Sequence, residues 1–243
     1  MGNYQGKYNI QVQDNSVAIV GWEEGQAGRI HSWLEESGKY HIACFVNYNN
    51  EPLNIDSAKI YREASQFSYP TNHSFKDKPL INSSNWASSL KDYGINKALI
   101  TVDNSHIRNE QIQYAIENNI ELINAIHPTV IITKDAIINE NVIIHAGSLI
   151  GYRSEIFSGS IISYGSIINH HCVLQTCSTI DAGVILAGNV SVGRFATIHT
   201  GTVIINRIQI GDETIVGAGS VIIKDIPGNV TVAGSPGKII KKH

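Results

Sequence analysis

Residues 143–180 read IIHAGSLIGYRSEIFSGSIISYGSIINHHCVLQTCSTI, and an aliphatic side chain returns in this stretch every six residues. The same step runs without an insertion from Ile132 to Ile222, and Ile, Leu or Val occupies each position. Two places before each of them the residue is mostly small or β-branched, as at Ser148 and Ser166. Because a helix has a period of about 3.6 and a strand a period of 2, a step of six predicts a β-helix of hexapeptide repeats.

Stacking of the repeats predicts which side chains become neighbours. If three hexads form one coil, residues eighteen apart lie one above the other at roughly the 4.8 Å spacing of β-strands. This spacing places Asp181 next to His199, with His145 two coils below Asp181 in the same column. A carboxylate beside an imidazole can orient a base, although most surface pairs of this kind are inert, so both interpretations stay open. The flat outer faces of such a coil predict a homo-oligomer.

The first half of the chain has a different pattern. Short apolar runs alternate there with segments of helical spacing, which predicts a parallel sheet with crossover helices. We therefore expect two domains, a Rossmann-like α/β domain over 1–127 and the β-helix over 128–243. The polar stretch 48–78 has little periodicity and is predicted to be irregular. The strands of the α/β domain are expected within 16–22, 41–47, 95–102 and 121–127, with a further strand at the start of 79–94.

Composition excludes several classes of protein. The chain has 243 residues, a net charge of −3 and only 16 % charged residues, without basic clusters, which argues against nucleic acid as a partner. No apolar run approaches the ~20 residues of a membrane span. Three cysteines, Cys44, Cys172 and Cys177, cannot form a paired framework, so we expect a reducing, cytoplasmic location. Packing in the coil is the expected role of Cys172 and Cys177.

Three motifs carry a resemblance to a known bacterial family. They are AIHPTVIIT (125–133), NHHC (169–172) and GAGSVIIKDIPGNVTVAGSPGKII (217–240). In this combination they resemble the sugar acyltransferases that include sialic-acid O-acetyltransferase and bacillosamine-pathway N-acetyltransferase. The resemblance implies a left-handed β-helix that forms a homotrimer. It also implies acetyl-CoA bound between neighbouring coils and a nucleotide-sugar or amino-sugar acceptor at the N-terminal domain.

The catalytic histidine of that family falls on His170. Its role would be that of a general base, which suits an imidazole because its pKa ordinarily lies near the working pH. The family follows this residue with Asp or Glu, and His171 occupies that place here. A neutral imidazole can accept the hydrogen bond but supplies no negative charge, so the base should be weaker. A second histidine of the family falls on Thr179, and its Gly-Asp pair falls on Gln175 and Thr176.

The residues of the family that contact CoA correspond to small residues in this chain. They are Gly188, Thr200, and the run Gly217, Ala218 and Gly219. Small residues let the pantetheine arm approach the backbone closely.

The nucleotide-binding residues of the family correspond to three short segments. The glycine-rich turn places Gly25, Gln26 and Ala27 at the positions facing phosphate, and Glu23 and Glu24 precede them. Acidic side chains at this place compete with a pyrophosphate for the positive end of a helix. The acidic pair that reads uracil in some members falls on Asn47 and Tyr48. In the family a glycine follows the strand that corresponds to the one expected here within 95–102, and Asp103 occupies its position in this chain. Asn104 comes next, and Arg108 matches the arginine of the family.

The resemblance implies an acetyl-CoA-dependent N-acetyltransferase that acts on a nucleotide-linked amino sugar in surface-glycan synthesis, and we expect no metal. O-acetylation of a sialic-acid-like sugar and a non-catalytic relative remain alternatives. A zinc hydrase of the γ-carbonic-anhydrase type is a third, although it requires a His-x4-His spacing that the coil lacks.

Overall fold

The computed structural model describes residues 8–22, 24–49 and 73–243. These residues form two compact units. One lies within Met1–Asn104 and Glu110–Ile123, and the other comprises Ser105–Asn109 and Asn124–His243. Glu23, which precedes the predicted phosphate-facing turn, lies outside the described residues, as does most of the stretch predicted to be irregular.

The first unit is built on a mainly parallel sheet. Its strands stand in the order β3-β4-β2-β1-β5-β6, and only β3 and β4 pair antiparallel. The strands are β1 (Ser16–Val20), β2 (His41–Asn47), β3 (Ser74–Phe75), β4 (Lys78–Asn82), β5 (Lys97–Ile100) and β6 (Glu121–Leu122). The helices of this half of the chain are α1 (Arg29–Leu34), α2 (Trp86–Asp92) and α3 (Ser105–Glu117), and a π-helical turn (Glu24–Gly28) precedes α1. The first five residues of α3, Ser105–Asn109, belong to the second unit.

Strand β1 is the centre of this sheet. Its residues from Val17 to Val20 are fully buried, as expected for a parallel strand covered on both faces. The chain proceeds from β1 through β2 to β4 on one side, and β5 then returns to the other side of β1. In open α/β sheets ligands bind outside the carboxyl ends of the strands at such a reversal. The loops that follow β1 and β5 are therefore the ones placed to bind a ligand.

Three expectations for this half of the chain need correction. The helix predicted after β1 is split into a π-helical turn and the short α1, since Gly25 and Gly28 are poor helix formers. The end of the stretch 48–78 is not irregular, because β3 and the start of β4 form a hairpin there. The single strand predicted within 121–127 is two strands, of which β6 pairs with β5 while Ala125–Ile126 pairs in the coil.

The second unit is a left-handed parallel β-helix with three faces, which confirms the predicted fold class. The first face has the strand order β25-β24-β22-β19-β16-β13-β10-β7, the second β23-β20-β17-β14-β11-β8 and the third β21-β18-β15-β12-β9. The strands of the coil are β7 (Ala125–Ile126), β8 (Ile131–Ile132), β9 (Ile137–Ile138), β10 (Ile143–Ile144), β11 (Leu149–Ile150), β12 (Glu155–Ile156), β13 (Ile161–Ile162), β14 (Ile167–Ile168), β15 (Val173–Leu174), β16 (Thr179–Ile180), β17 (Ile185–Leu186), β18 (Ser191–Val192), β19 (Thr197–Ile198), β20 (Val203–Ile204), β21 (Gln209–Ile210), β22 (Ile215–Val216), β23 (Val221–Ile222), β24 (Val230–Ala233) and β25 (Lys238–Lys242).

The register of the strands confirms the eighteen-residue coil. Ile144 pairs with Ile162 and Ile162 with Ile180, and the pattern holds on all three faces. From Ile144 to Ile222 the aliphatic residues of the six-residue step are at most 3 % exposed. Ile132 is exposed and Ile138 is half-buried, because β8 and β9 are the terminal strands of their faces.

Small polar residues complete the interior at the corners. The hydroxyl of Ser148 donates to the carbonyl of Ser163 at 2.9 Å, and that of Ser166 donates to the carbonyl of Asp181 at 2.8 Å. A buried carbonyl that lies outside the strand ladder is paired in this way. These hydrogen bonds explain why the residue two places before each aliphatic residue of the step is so often serine.

Candidate active site

Three edges separate the faces of the coil, and the candidate residues lie on two of them. The glycine edge joins the first and second faces and carries Gly147, Gly165, Gly183, Gly201 and Gly219. The histidine edge joins the second and third faces and consists of the stacked turns Gly151–Arg153, Asn169–His171 and Ala187–Asn189. The third edge joins the third and first faces and includes Arg194–Phe195 and Asp212–Glu213.

His170 and His171 form a contacting pair on the histidine edge. Their Nδ1 atoms are 3.1 Å apart, and the two exposed rings are nearly perpendicular at 85°. The Asn169 side chain accepts the backbone N–H of His170, and His171 donates its own to the carbonyl of Tyr152. His171 has a φ of +56°, and its ring packs edge-on against Tyr152 at 5.5 Å. Both histidines are thus held by the turn that carries them.

Two glycines make room for this pair. A Cβ built on Gly188 would lie 2.2 Å from Cε1 and 2.4 Å from Nε2 of His170, so the imidazole lies directly against the backbone of the next coil. A Cβ on Gly151 would lie 2.8 Å from the backbone nitrogen of His170. Gly188 was predicted to contact CoA, and in the structure the His170 ring packs against it. Gly151 was not among the predicted site residues, although its eighteen-residue offset from Asn169 places it in the neighbouring coil.

The contact between the two histidines decides where a proton can be accepted. One of the two Nδ1 atoms must carry the hydrogen and the other must accept it. When His170 donates, its Nε2 keeps a free lone pair and can act as a base. His171 then accepts the Nδ1 hydrogen of His170, and an imidazole in this position supplies no negative charge.

Thr179, which occupies the place of a second histidine, is held by Arg108. The buried guanidinium donates from Nη2 to Thr179 Oγ1 at 3.1 Å and to the carbonyl of Cys177 at 3.0 Å, and its Nε donates to the carbonyl of Gly159 at 2.8 Å. Arg108 was predicted among the nucleotide-site residues, but here its side chain supports the wall of the coil.

The cysteines of the coil agree with a packing role. Cys172 and Cys177 are fully buried, and burial raises the pKa of each thiol, which for Cys177 the neighbouring Arg108 partly opposes. A thiol with a raised pKa is a poor nucleophile at neutral pH because the thiolate is the reactive form.

Asp181 and His199 are neighbours, as their spacing predicts. Asp181 Oδ2 is 2.7 Å from His199 Nδ1, and their side chains are 32 % and 44 % exposed. His145 lies two coils below Asp181, fully buried, with its ring stacked on Tyr164 at 4.6 Å. The pair lies on the glycine edge, and it is not on the edge that carries His170.

At the positive-φ position of each of the five turns from Gly147 to Gly219 the glycine edge carries glycine, and therefore no side chain. Its five glycines have φ between +64° and +73°, but the other two edges place residues such as Arg153, His171 and Phe195 at a similar φ. A Cβ at Gly183, Gly201 or Gly219 would meet nothing within 4 Å. Packing inside the chain therefore does not require glycine here, and the backbone of this edge is open to a molecule outside the chain.

The residues predicted to bind CoA are divided between two edges. Thr200, Gly217, Ala218 and Gly219 lie on the glycine edge, and Gly188 lies on the histidine edge beneath His170. Within one chain the second face separates the two sets. The structure therefore does not bring the predicted donor-binding residues together with His170 in a single copy.

The residues predicted to bind the nucleotide follow the strands at the centre of the α/β sheet. Gly25, Gln26 and Ala27 lie in the π-helical turn after β1, where Gln26 and Ala27 are buried. Asn47 ends β2, is 1 % exposed and donates from Nδ2 to Asn82 Oδ1 at 2.9 Å, while Tyr48 is half-buried. Exposed Asp103 and Asn104 follow β5. All three segments lie at the carboxyl ends of neighbouring strands.

Within the ranges that the structure describes, no group of three or more His, Cys, Asp or Glu side chains could hold a metal ion. None of the helices in this part of the chain is long and apolar enough to cross a membrane.

Comparison with solved structures confirms the resemblance that the motifs indicated. No protein-family model and no curated protein matches the sequence. The fold is that of the hexapeptide-repeat sugar N-acyltransferases with a left-handed β-helix.

Two solved structures are of one such enzyme. A variant of GDP-perosamine N-acetyltransferase from Caulobacter crescentus, in complex with CoA and GDP-perosamine, is 25 % identical with a TM-score of 0.81, over 95 % of this chain and 98 % of that one. PerB from the same organism, with the same two ligands, is 26 % identical with a TM-score of 0.80, over 95 % and 99 %. The acetyltransferase domain of PglB from Neisseria gonorrhoeae, with acetyl coenzyme A, shares the fold at 24 % identity and a TM-score of 0.79, over 94 % and 100 %.

Proposed function

We propose that this chain is an acetyl-CoA-dependent N-acetyltransferase that acts on a nucleotide-linked amino sugar in surface-glycan biosynthesis. The observation that carries the proposal is the His170 imidazole, which packs on Gly188 and makes its Nδ1 contact with His171. Support comes from the similarity, over 95 % of the chain, to an enzyme crystallised with CoA and GDP-perosamine.

In the proposed reaction His170 is the general base. Nε2 takes the proton from the sugar amine as the nitrogen attacks the thioester carbonyl, and the CoA thiolate leaves. His171 accepts the Nδ1 hydrogen and keeps the ring in the tautomer that this step requires. A positioned base of this kind contributes roughly 10²–10⁴-fold to the rate.

We place the acyl donor along the glycine edge, which Thr200 and the run Gly217–Gly219 line. Because a Cβ at Gly201 or Gly219 would meet nothing within 4 Å, the pantetheine arm can approach the backbone of this edge closely. Gly188 lies on the opposite side of the second face, so the donor site needs residues from two copies.

We propose a homotrimer in which the second face is the interface. The outward residue of every strand on this face is aliphatic: Ile131, Leu149, Ile167, Ile185, Val203 and Val221. Four of these side chains are between 36 % and 61 % exposed in the single chain. When the second face of each copy points toward the axis of a cyclic assembly, the histidine edge and the glycine edge lie on opposite sides of that copy. The histidine edge of one copy then meets the glycine edge of the next, which completes the site.

A substitution in the second face tests the assembly. Ile185→Asp places a charge in the middle of the apolar row, so we expect monomers in light scattering and loss of acetyl transfer. Gln209→Asp on the third face makes an equally charged change outside the proposed interface and should leave the trimer intact. A monomeric wild-type protein at micromolar concentration, with full activity, would contradict the shared site.

We assign acceptor binding to residues 1–127 and acyl transfer to residues 128–243. The nucleotide then lies at the reversal of the sheet, near Gly25–Ala27 and Asp103–Asn104, with Asn47 and Tyr48 toward the base. Both substrates are cytoplasmic metabolites, and Cys44, Cys172 and Cys177 are free thiols, so we propose the cytoplasm as the location.

Release of CoA tests the function directly. Wild-type protein is incubated with acetyl-CoA and nucleotide-linked sugars that carry UDP, dTDP, GDP or CMP, each with an amine or with a hydroxyl at the same carbon. We expect the thiol reagent DTNB to detect CoA only with amino sugars. Release with the hydroxyl sugars alone indicates an O-acetyltransferase, and no release with either set indicates a non-catalytic relative.

A further inference from the structure

The Asp181–His199 pair has the geometry of an oriented proton-transfer group. The carboxylate lies 2.7 Å from Nδ1 of the imidazole, and both side chains remain partly exposed. The hydrogen bond holds the ring in place and leaves Nε2 for another partner. The partner of this Nδ1 is a carboxylate, whereas the partner of the His170 Nδ1 is a second imidazole.

Acyl transfer from a thioester to an amine needs proton transfer at two places. The nitrogen loses a proton as the amide bond forms, and the sulfur gains one as the carbon–sulfur bond breaks. His170, the proposed base on the histidine edge, accepts the proton from the nitrogen. On the glycine edge, where the donor is proposed to lie, His199 is held at Nδ1 by the carboxylate of Asp181.

The height of His199 along the coil suits this role. Each eighteen residues rise by roughly 4.8 Å, so His199, 29 residues after His170, stands about 8 Å further along the axis. In copies related by rotation about a parallel axis, this offset persists between the histidine edge of one copy and the glycine edge of the next. This offset is comparable to the distance between a base that contacts the attacking amine and an acid that contacts the sulfur of the thioester.

We propose that His199, positioned by Asp181, gives its Nε2 proton to the sulfur of CoA as the thioester breaks. This inference rests on the proposed function. His170 takes one proton from the attacking nitrogen and His199 supplies one to the sulfur, so the products are the N-acetyl sugar and the CoA thiol. His170 then releases its proton to water, and His199 takes up another.

The test compares two thioesters that differ in how much their leaving thiolates need a proton. With acetyl-CoA, His199→Gln should lower kcat roughly 10²-fold while KM changes little. With the acetyl thioester of 5-thio-2-nitrobenzoate, whose thiolate is stable without a proton, the loss should be much smaller. Asp181→Asn should behave in the same way, and Asp181→Glu, which keeps the carboxylate, should restore most of the rate.

His106→Gln is the matched control. His106 pairs with Glu213 at 2.9 Å, and both are partly exposed, but this pair lies at the third edge. The control should keep the wild-type kcat, and thermal unfolding confirms that all four variants fold.

The outcomes separate the two proposals. An unchanged kcat in His199→Gln, or an equal loss with both thioesters, overturns the role of His199 while the acetyltransferase stands. A wild-type protein that acetylates no amino sugar overturns the proposed function and this inference with it.

Discussion

Gly188→Ala tests how closely the coil positions His170, the proposed base. The new Cβ would lie 2.2 Å from Cε1 of His170, whereas ordinary contact begins near 3.4 Å, so the ring must move by about 1.2 Å. A displacement of 1 Å at a reacting group can cost about 10²-fold in rate. We therefore expect kcat to fall roughly 10²-fold.

The same substitution should hardly affect the fold. Gly188 does not have a positive φ, so alanine brings no backbone strain, and the clashing ring is an exposed side chain that can turn away. The free energy of unfolding should change by less than about 1 kcal/mol, since alanine also restricts the unfolded chain. Urea denaturation measures this value on the same protein used in the CoA-release assay.

A double-mutant cycle identifies the cause of the loss. If Gly188→Ala acts through the imidazole, then Gly188→Ala combined with His170→Ala should be no slower than His170→Ala alone. A wild-type kcat in Gly188→Ala refutes the positioning argument. A double variant much slower than His170→Ala would show that Gly188 serves the donor and not the base.

Further predictions concern His171, Arg108 and the cysteines. His171→Asp should keep or raise kcat and move the acidic limb of the pH–rate profile to higher pH, because a carboxylate stabilises the imidazolium that forms. Abolished turnover would show that the reaction requires the His171 side chain for a step other than supporting His170. Arg108→Met should lower the free energy of unfolding by roughly 3 kcal/mol in urea titration, because two buried carbonyls lose their hydrogen-bond donor. An unchanged urea midpoint of unfolding would contradict the hydrogen bonds of Arg108. DTNB should label no cysteine of the native protein at pH 8. Because burial raises the pKa of Cys44 to about 12, stability should fall as pH rises above the ordinary thiol value, where only the unfolded chain ionises.

The six-residue step was sufficient to predict the coil, its eighteen-residue register and the Asp181–His199 contact. Each of these depends on neighbours at a fixed offset along the chain, which a sequence displays directly. The same rule could have predicted that Gly188 lies under His170, since the two are eighteen apart.

Other features had no such signal in the sequence. Arg108 bonds to residues 51 to 71 positions away, and no periodicity connects a helix residue to particular carbonyls of a coil. The exposure of Ile132 and Ile138 follows from the end of the stack and not from their own hexads. The division of the donor-binding residues between two edges appears only when each hexad is assigned to a face.

Transfer of labelled acetyl from [¹³C]acetyl-CoA, with the product mapped by tandem mass spectrometry, tests the central claim most directly. Wild-type protein should place the label on the nitrogen of a nucleotide-linked amino sugar, and His170→Ala should do so roughly 10²–10⁴-fold more slowly while still binding acetyl-CoA. Label on a hydroxyl, or an unchanged rate in His170→Ala, would contradict the account.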